Sequence, residues 1–355
     1  MILKTKKAFL QFIILLSCFI FSLPLIQAKP ENTVNILTWW GYLLPENIAA
    51  AENTCHTKIS FDEYYSDSEF LRRWEEQKQN YDMAIFSDVV FNSIKSDISM
   101  SDSSLWEITK QYNPIIRNHY QQYHFPKNIV FFTEALTGFI WNPAVVQLDK
   151  NDSIDTIFKK AGTNTVAIFD DPIEVNRVIK LALNELGQPI QQLPFSVLTP
   201  EYFKKVTQNT RVIITDDNEK VYQHPDFAFA LTWQGNAIFY SEQKRKTYPF
   251  LVHPQLSYIS FDLLGITNND PATLCVARTL LSPEAMTRVE NTDYYFSPYL
   301  EDKKIISPYF KSIYNEFLNY LSRLPWIQLA SRDEFEQLSK QWDMIRLNLN
   351  TPGAL

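Results

Sequence analysis

Two carboxylates stand three residues apart where an apolar run meets a proline. The run 166–169 precedes Asp171, Pro172 and Glu174. Proline suits the first turn of a helix because its missing N–H would have no partner there. The pattern therefore predicts a buried strand, followed by a helix over 174–186 with Asp171 as its N-cap.

Two interpretations of this carboxylate pair remain open. In the first, Asp171 and Glu174 form a capping box, which satisfies backbone N–H groups at the start of the helix. In the second, both side chains face a cleft at the carboxyl end of a strand, where α/β proteins place ligands. The positive end of the helix dipole would then keep them ionised and able to hold a cation.

The composition predicts a cleft lined with aromatic rings. Aromatic residues make up 14% of the chain, whereas there are only 7 glycines, which argues against phosphate-cradling loops. No sequence motif of a nucleophile elbow, zinc protease, P-loop, dinucleotide site or Cys-x-x-Cys pair occurs. The five histidines are scattered without metal-ligand spacing. An enzyme is therefore disfavoured, and we expect neither a cofactor nor a metal.

The first 28 residues are typical of a secretory signal peptide. Lysines at positions 4, 6 and 7 precede an apolar run over 8–26, and Ala28 stands before a polar break. We expect cleavage after Ala28 and a periplasmic protein. Two alternatives are an uncut membrane anchor and a lipoprotein signal ending at Cys18.

The mature chain would be acidic. Cleavage after Ala28 removes three lysines, which leaves 30 basic and 40 acidic residues and a formal charge of −10. A field of this sign disfavours nucleic acid and anionic membranes, and it suits a cationic ligand. The two remaining cysteines, Cys55 and Cys275, could form a disulfide in an oxidising compartment. Sequence alone does not show whether their Cα atoms come close enough.

Strands and helices alternate, which predicts an α/β fold with a mostly parallel sheet and ligands at the strand ends. A helix is predicted over 70–79, with residues 67–69 as its cap. The mature chain has about 325 residues, which is more than one core usually holds, so two lobes are expected. Strands are predicted over 34–40, 58–65, 81–87, 128–142, 166–169, 227–233, 248–254 and 258–267.

Seven segments, in this order, resemble the substrate-binding proteins of spermidine/putrescine ABC importers. The resemblance runs from about residue 34 to about residue 298. It is carried by Ile36-Leu37-Thr38-Trp39-Trp40-Gly41-Tyr42, by 81–87 and 137–142, by Asp170-Asp171-Pro172-Ile173-Glu174-Val175, by Thr232-Trp233-Gln234-Gly235-Asn236-Ala237, by Phe261-Asp262-Leu263-Leu264-Gly265-Ile266 and by Tyr295-Phe296-Ser297-Pro298.

The resemblance implies a type II periplasmic-binding-protein fold, with each lobe a mixed sheet flanked by helices and the ligand clamped between the lobes. Lobe 1 would hold 29–136 and 259–300, and lobe 2 would hold 137–258 and 301–355. The implied function is to deliver a polyamine, putrescine or spermidine, to an ABC permease, with the binding protein as a monomer. The implied ligand contacts are Trp39, Tyr42, Ser87, Asp171, Glu174, Trp233, Asp262 and Tyr295.

These residue types fit a polyamine physically. Rings cover the methylene chain and attract ammonium groups through their π faces, at about 0.5–2 kcal/mol per contact. Each buried ammonium needs a carboxylate, and three spaced acids suit a ligand with two or three charges. The alternative for Trp39 and Trp233 is plain core packing at strand ends, and Tyr42 and Tyr295 could equally be packing residues.

The sequence departs from the family pattern at several pocket positions. Val89 and Ser260 stand where the family has rings, whereas Trp40 adds a ring and Asp88 adds an acid. The pocket is therefore expected to differ in shape, and the identity of the ligand stays open.

Three other functions fit the same fold. One is a binder of ferric ion or of another small ligand, since adjacent tyrosines, which could bind iron, occur at 64–65 and 294–295. Another is a periplasmic protein that senses a ligand without transporting it. The third is a periplasmic enzyme on the same two-lobe scaffold, for which the sequence offers no catalytic residues.

Overall fold

Nine strands and thirteen α-helices alternate along the part of the chain that the computed structural model describes. That part is 33–98, 104–185, 187–188, 193–194, 196–207, 210–215, 219–244, 248–299, 307–320 and 329–350. The strands are β1 (Thr33–Trp39), β2 (Lys58–Tyr64), β3 (Met83–Ser87), β4 (Ile129–Trp141), β5 (Thr165–Ile168), β6 (Arg211–Ile214), β7 (Phe227–Trp233), β8 (Phe250–Leu251) and β9 (Ile259–Ile266).

The helices fill the intervals between the strands and form the end of the described chain. They are α1 (Pro45–Cys55), α2 (Asp67–Gln77), α3 (Phe91–Ile94), α4 (Pro114–Gln122), α5 (Ile154–Ala161), α6 (Pro172–Glu185), α7 (Pro200–Thr207), α8 (Glu219–Tyr222), α9 (Gln234–Lys244), α10 (Pro271–Leu280), α11 (Pro283–Asp293), α12 (Pro308–Tyr320) and α13 (Arg332–Asn350). A short 3-10 turn, Asp88–Val90, follows β3 directly.

Strand β4 is shared by two groups of strands. The sheet order is β2-β1-β3-β9-β4-β7-β5-β6, with β8 also paired to β4. Strand β4 pairs with β9 up to Leu136, and its pairing with β7 begins at Thr137. We call the strands β2, β1, β3 and β9, with the first part of β4, the first half-sheet. The second half-sheet is the rest of β4 with β7, β5, β6 and β8.

The central strands are buried along their whole length. Every residue of β4 and of β9 is buried, as expected for strands covered on both faces. Polar residues in these strands therefore need partners or a function, and Thr133, Glu134 and Asp262 are among them. Two details differ from the sequence-based prediction. Strand β6 was not predicted. Strand β8 has only two residues of the predicted 248–254, because Pro249 and Pro254 lack the N–H group that a strand ladder requires.

At the start of α6, Asp171 caps the helix, but Glu174 does not complete a capping box. The Oδ1 atom of Asp171 accepts hydrogen bonds from the N–H groups of Ile173 at 2.7 Å and Glu174 at 2.9 Å. The predicted N-cap is therefore confirmed. The Glu174 side chain instead accepts hydrogen bonds from Arg177 and Tyr258, so it is held by partners outside a capping box.

A disulfide joins Cys55 and Cys275, whose Cα atoms are 5.7 Å apart. It links the last residue of α1 to the middle of α10, and these two helices pack together. The predicted signal peptide and its two alternatives lie in 1–32, outside the described residues. Within the described ranges, no helix combines the length and apolarity that crossing a membrane requires.

Candidate ligand-binding site

Asp262 lies at the centre of the site, in strand β9 between β3 and β4. Its Oδ2 atom accepts a hydrogen bond from the Tyr42 hydroxyl at 2.5 Å and one from the Thr133 hydroxyl at 3.0 Å. The strand register places Asp262 opposite both Ser87 on β3 and Thr133 on β4. The sheet thus fixes an acid among hydroxyl groups at the point where the two half-sheets meet.

Burial disfavours the ionised form of the Asp262 carboxyl, and its hydrogen bonds offset this only in part. Desolvation raises its pKa from 3.8 to about 6, against the hydrogen bonds from Tyr42 and Thr133, which lower it. The neighbouring Asp88 raises the pKa further, and the nearby Trp39 indole lowers it. Within the described part of the chain, no Lys or Arg side chain forms an ion pair with Asp262. The carboxyl can therefore gain from a cation that comes from outside.

Aromatic rings surround this acid. The Tyr42 ring lies 6.0 Å from that of Tyr295, centroid to centroid, and the Trp39 ring packs on Tyr64 at 4.5 Å. The buried Trp39 Nε1 makes no hydrogen bond with the described residues. At Gly235, a Cβ atom would lie 2.9 Å from Cζ of Tyr295, so only glycine lets α9 begin this close to the ring.

A second pair of carboxyls joins elements on opposite sides of the site. Asp67 lies in the first turn of α2, and Asp171 caps α6. The Ser87 hydroxyl donates a hydrogen bond of 2.6 Å to Asp67 Oδ1, and the Asp67 carboxyl lies beside that of Asp171. Burial, followed by the charge of Asp171, raises the pKa of Asp67 well above its ordinary value.

Arg177 is the internal cation of the site. Its Nη2 atom donates to Asp88 Oδ2 at 2.9 Å, and its Nη1 atom donates to Glu174 Oε1 at 2.8 Å. The guanidinium carbon lies 5.9 Å from the centroid of the Tyr258 ring, whose hydroxyl donates to the other oxygen of Glu174. Burial alone would lower the pKa of Arg177, but the charges of Asp88 and Glu174 outweigh burial and raise it. Burial raises the pKa of both acids, and Arg177 opposes that rise.

Two further tryptophans, Trp233 and Trp40, differ in their surroundings. Trp233 ends β7, opposite Thr137, and its ring packs on Phe169 at 4.5 Å. Trp40 is 62% exposed and stacks on Tyr65 at the surface. The expectation that Trp40 adds a ring to the pocket is therefore wrong. Trp40 lies in the turn after β1, which ends at Trp39.

The structure brings together most of the predicted contacts. Tyr42, Thr133 and Asp262 form one hydrogen-bonded group. Ser87, Asp67 and Asp171 form a second, and the charge of Asp262 acts on Asp67. The predicted residues now located are Trp39, Tyr42, Ser87, Asp171, Glu174, Trp233, Asp262 and Tyr295. Val89 and Ser260 are buried at 1% and 6% exposure, without a ring at either position.

Sequence reasoning missed several members of this site. Asp67 was assigned to the cap of α2, whereas Ser66 is the residue that caps it. Arg177 could have been found from its spacing, since it follows Glu174 by three positions and side chains at that spacing meet on a helix. Asp88 was noted as an added acid, but nothing in the sequence indicates that it pairs with Arg177, which is 89 residues away.

The tyrosine pair at 64–65 does not form a metal site. The Tyr64 hydroxyl donates to the carbonyl of Ile85, and Tyr65 is 62% exposed. Among the residues that the structure describes, no three His, Cys, Asp or Glu side chains are grouped so that they could hold a metal ion.

Comparison with solved structures identifies the fold. The substrate-binding protein PotD of a spermidine/putrescine ABC transporter from Streptococcus pneumoniae has a TM-score of 0.69 and 19% identity, over 89% of this chain and 100% of that one. The PotD lipoprotein of Treponema pallidum has a TM-score of 0.68 and 15% identity, over 89% and 100%. Apo ferric ion-binding protein A of Pasteurella haemolytica has a TM-score of 0.63 and 12% identity, over 91% and 99%.

These likenesses confirm the predicted α/β fold of the type II periplasmic-binding proteins, to which the PotD proteins belong. Because the fold is shared by a polyamine transporter's protein and a ferric-ion binder, it does not define the ligand by itself. No protein-family model and no curated protein sequence matches the chain.

Proposed function

We propose that this protein is the substrate-binding component of an ABC importer and that its ligand is a polyamine. The observation that carries the proposal is the buried carboxyl of Asp262 with the half-buried carboxyl of Asp171, neither of which forms an ion pair with a Lys or Arg side chain within the described residues. A buried acid is costly unless a cation or hydrogen bonds compensate it. The rings of Trp39, Tyr42 and Tyr295 would cover the methylene chain between two ammonium groups.

The ligand in this proposal contacts the eight residues expected from the sequence. Asp262, with Tyr42, would hold one ammonium. Asp171, with Asp67 and Ser87, would hold another. Trp39, Trp233 and Tyr295 would line the site beside them, together with Glu174, whose carboxyl is already hydrogen-bonded to Arg177 and Tyr258.

Ligand entry in this proposal requires the two half-sheets to separate. Asp262 and Asp67 are only 9% and 6% exposed, so no cation reaches them from solvent in the present arrangement. The chain crosses between the half-sheets in β4 near Leu136 and returns at β9, which is the place for a hinge. Lobe 1 would be 29–136 with 259–300, and lobe 2 would be 137–258 with 301–355. The closed form would be recognised by a permease.

The proposed setting is the periplasm, reached through a signal peptide cleaved after Ala28, with the mature protein a monomer. The surplus of 40 acidic over 30 basic residues supports the attraction of a cationic ligand.

Thermal melting of the mature chain, from Lys29 onward, tests the proposal. The protein is melted with putrescine, spermidine, spermine, arginine or no ligand. A ligand at about 1,000 times its dissociation constant adds about 4 kcal/mol to the free energy of unfolding, which raises the melting temperature by several degrees. We expect a rise with at least one polyamine that disappears in Asp262→Asn. Absence of a rise with any amine contradicts the proposal.

Two alternative functions would give different experimental results. A ferric-ion binder would take on the visible colour of a tyrosinate–iron complex when iron is added. A sensing protein would bind the amine equally well, but its coding region would lack a neighbouring permease and ATPase.

A further inference from the structure

Arg177 holds the position that a ligand ammonium would otherwise take beside Glu174. The side chain is 6% exposed, and its guanidinium lies between a carboxylate of the same helix and Asp88 of the turn after β3. Asp88 belongs to the first half-sheet and α6 to the second, so the ion pair spans the site. The Tyr258 ring lies beside the guanidinium as a ring would lie beside a bound amine.

We propose that Arg177 is a specificity-determining residue that acts as a built-in cation and restricts the site to ligands with two cationic groups. This inference rests on the proposed function. The carboxyls divide into three sets, namely Asp262, the pair Asp67 and Asp171, and the pair Asp88 and Glu174. Arg177 and Tyr258 donate hydrogen bonds to all four carboxyl oxygens of the third set, which leaves two sets for ligand ammonium groups.

A third ammonium would find no carboxylate of its own. Buried ions are stabilised only when they are paired with good geometry, so a triamine would have to displace Arg177 or bury an unpaired charge. Displacing Arg177 would in turn require a new partner for a guanidinium that is always charged. Diamines therefore fit the site and triamines are rejected.

The test compares four proteins, because removing Arg177 alone would leave two buried acids unpaired. The first is wild type. The second, Asp88→Asn with Arg177→Met, removes the internal ion pair and leaves Glu174 open to a ligand. The third adds Glu174→Gln as the matched control, and the fourth is Arg177→Lys, which keeps the charge. Dissociation constants are measured for putrescine, for spermidine and for 1,8-diaminooctane, which matches spermidine in length without its central charge.

We expect wild type to bind putrescine more tightly than spermidine. In the double variant, the ratio of the spermidine constant to the putrescine constant should fall about tenfold, which corresponds to about 1.4 kcal/mol. The triple variant should lose this gain, Arg177→Lys should keep the wild-type ratio, and 1,8-diaminooctane should not share the gain.

Several outcomes overturn the inference. The first is a ratio of dissociation constants that stays within about twofold of wild type in a double variant that melts cooperatively. The second is a tenfold fall in that ratio that persists when Glu174→Gln is added. The third is a wild-type protein that binds spermidine about tenfold more tightly than putrescine, a result that overturns the inference even if the double variant does not fold. Failure of the proposed function looks different, because then neither wild type nor any variant binds an amine at all.

Discussion

The hydroxyl of Tyr42 donates a 2.5 Å hydrogen bond to the carboxylate of Asp262, although 220 residues separate the two in the chain. Tyr42 follows β1 and Asp262 lies in β9, so the bond forms only once the first half-sheet is assembled. Burial raises the pKa of both groups, and the acid consequently stays close to its protonation range at mild pH. This makes both the stability of the protein and its ligand binding depend on pH.

The ligand-free protein should be more stable at pH 5.5 than at pH 8. A carboxyl whose pKa is raised in the folded state binds more protons there than in the unfolded state, so the free energy of unfolding falls as the pH rises through that pKa. For Asp262 the rise from 3.8 to about 6 corresponds to about 3 kcal/mol. Glu290 and Asp293, whose pKa values burial raises to about 7, act in the same direction.

Urea unfolding at a series of pH values measures this effect, with Asp262→Asn as the comparison. The variant should lose part of the slope between pH 4 and pH 7. If wild type and variant give parallel curves, the raised pKa of Asp262 is wrong.

Ligand binding should show the opposite dependence on pH. An ammonium group pairs with ionised Asp262, so amine affinity should fall as the pH drops below about 6. The measurement is the rise in melting temperature at a fixed polyamine concentration from pH 8 to pH 5. A ligand-induced rise that stays constant over this range would contradict the assignment of Asp262.

The two neighbouring tryptophans should differ in their effect on binding. Trp39→Leu removes a ring beside the acid and should weaken polyamine binding about tenfold, since a cation–π contact of about 1–2 kcal/mol is lost. Trp40→Leu changes an exposed ring and should leave the affinity within about twofold. Titration calorimetry of both variants decides the matter. Equal losses would mean that Trp40 also reaches the ligand.

Replacing Glu134 should stabilise the protein at high pH. The side chain is fully buried in β4, and neither carboxyl oxygen has a hydrogen-bond partner among the described residues. Burial, followed by the charge of Glu290, raises its pKa well above 4.5. Because the pKa is raised in the folded state, the free energy of unfolding of wild type falls as the pH rises above 4.5. Glu134→Gln has no ionisable group there and should not show this fall. We expect the variant to be about 1–3 kcal/mol more stable at pH 8.

The comparison is made by urea unfolding at pH 4 and pH 8, with the exposed Glu46→Gln as a control that should change little. The gain of Glu134→Gln should vanish near pH 4. A variant less stable than wild type at pH 8 would show that the carboxylate has a stabilising partner.

Breaking the disulfide should cost stability without abolishing the site. Cys55 and Cys275 are separated by 220 residues in the chain, and their link joins helices α1 and α10, neither of which contributes a carboxyl to the site. Loss of a disulfide typically costs about 2–5 kcal/mol. Cys55→Ser with Cys275→Ser should unfold at lower urea and still bind amine. Thiol titration of the denatured wild-type protein should find no free thiol at these two positions, and two free thiols would contradict the link.

Local signals were enough to predict most of the fold. The apolar runs gave the strands of both half-sheets within one or two residues at most ends, and proline with Asp171 gave the start of α6. Strand β6 escaped because four residues at a sheet edge carry little pattern. Trp40 was not predicted to be exposed, because it lies in the turn just beyond β1, where the strand alternation no longer applies.

The site was predictable only in part. Asp262 was predictable because an acid is rare within a buried apolar strand unless it is paired or functional. The family resemblance implied the residues that surround it. The contact between Asp67 and Asp171 and the ion pair of Arg177 with Asp88 join segments that lie far apart in the chain. Such pairs depend on how the half-sheets face each other, which local spacing does not encode.

The central claim is that the buried carboxyls bind an amine, and calorimetric titration of putrescine and spermidine at pH 6.5 tests it most directly. The titration is done in two buffers of different ionisation enthalpy, because their difference in heat counts the protons released. We predict saturable binding of one amine per chain with proton release from the raised-pKa carboxyls, and its loss in Asp262→Asn. No saturable heat with either amine, or equal binding by Asp262→Asn, would contradict the account.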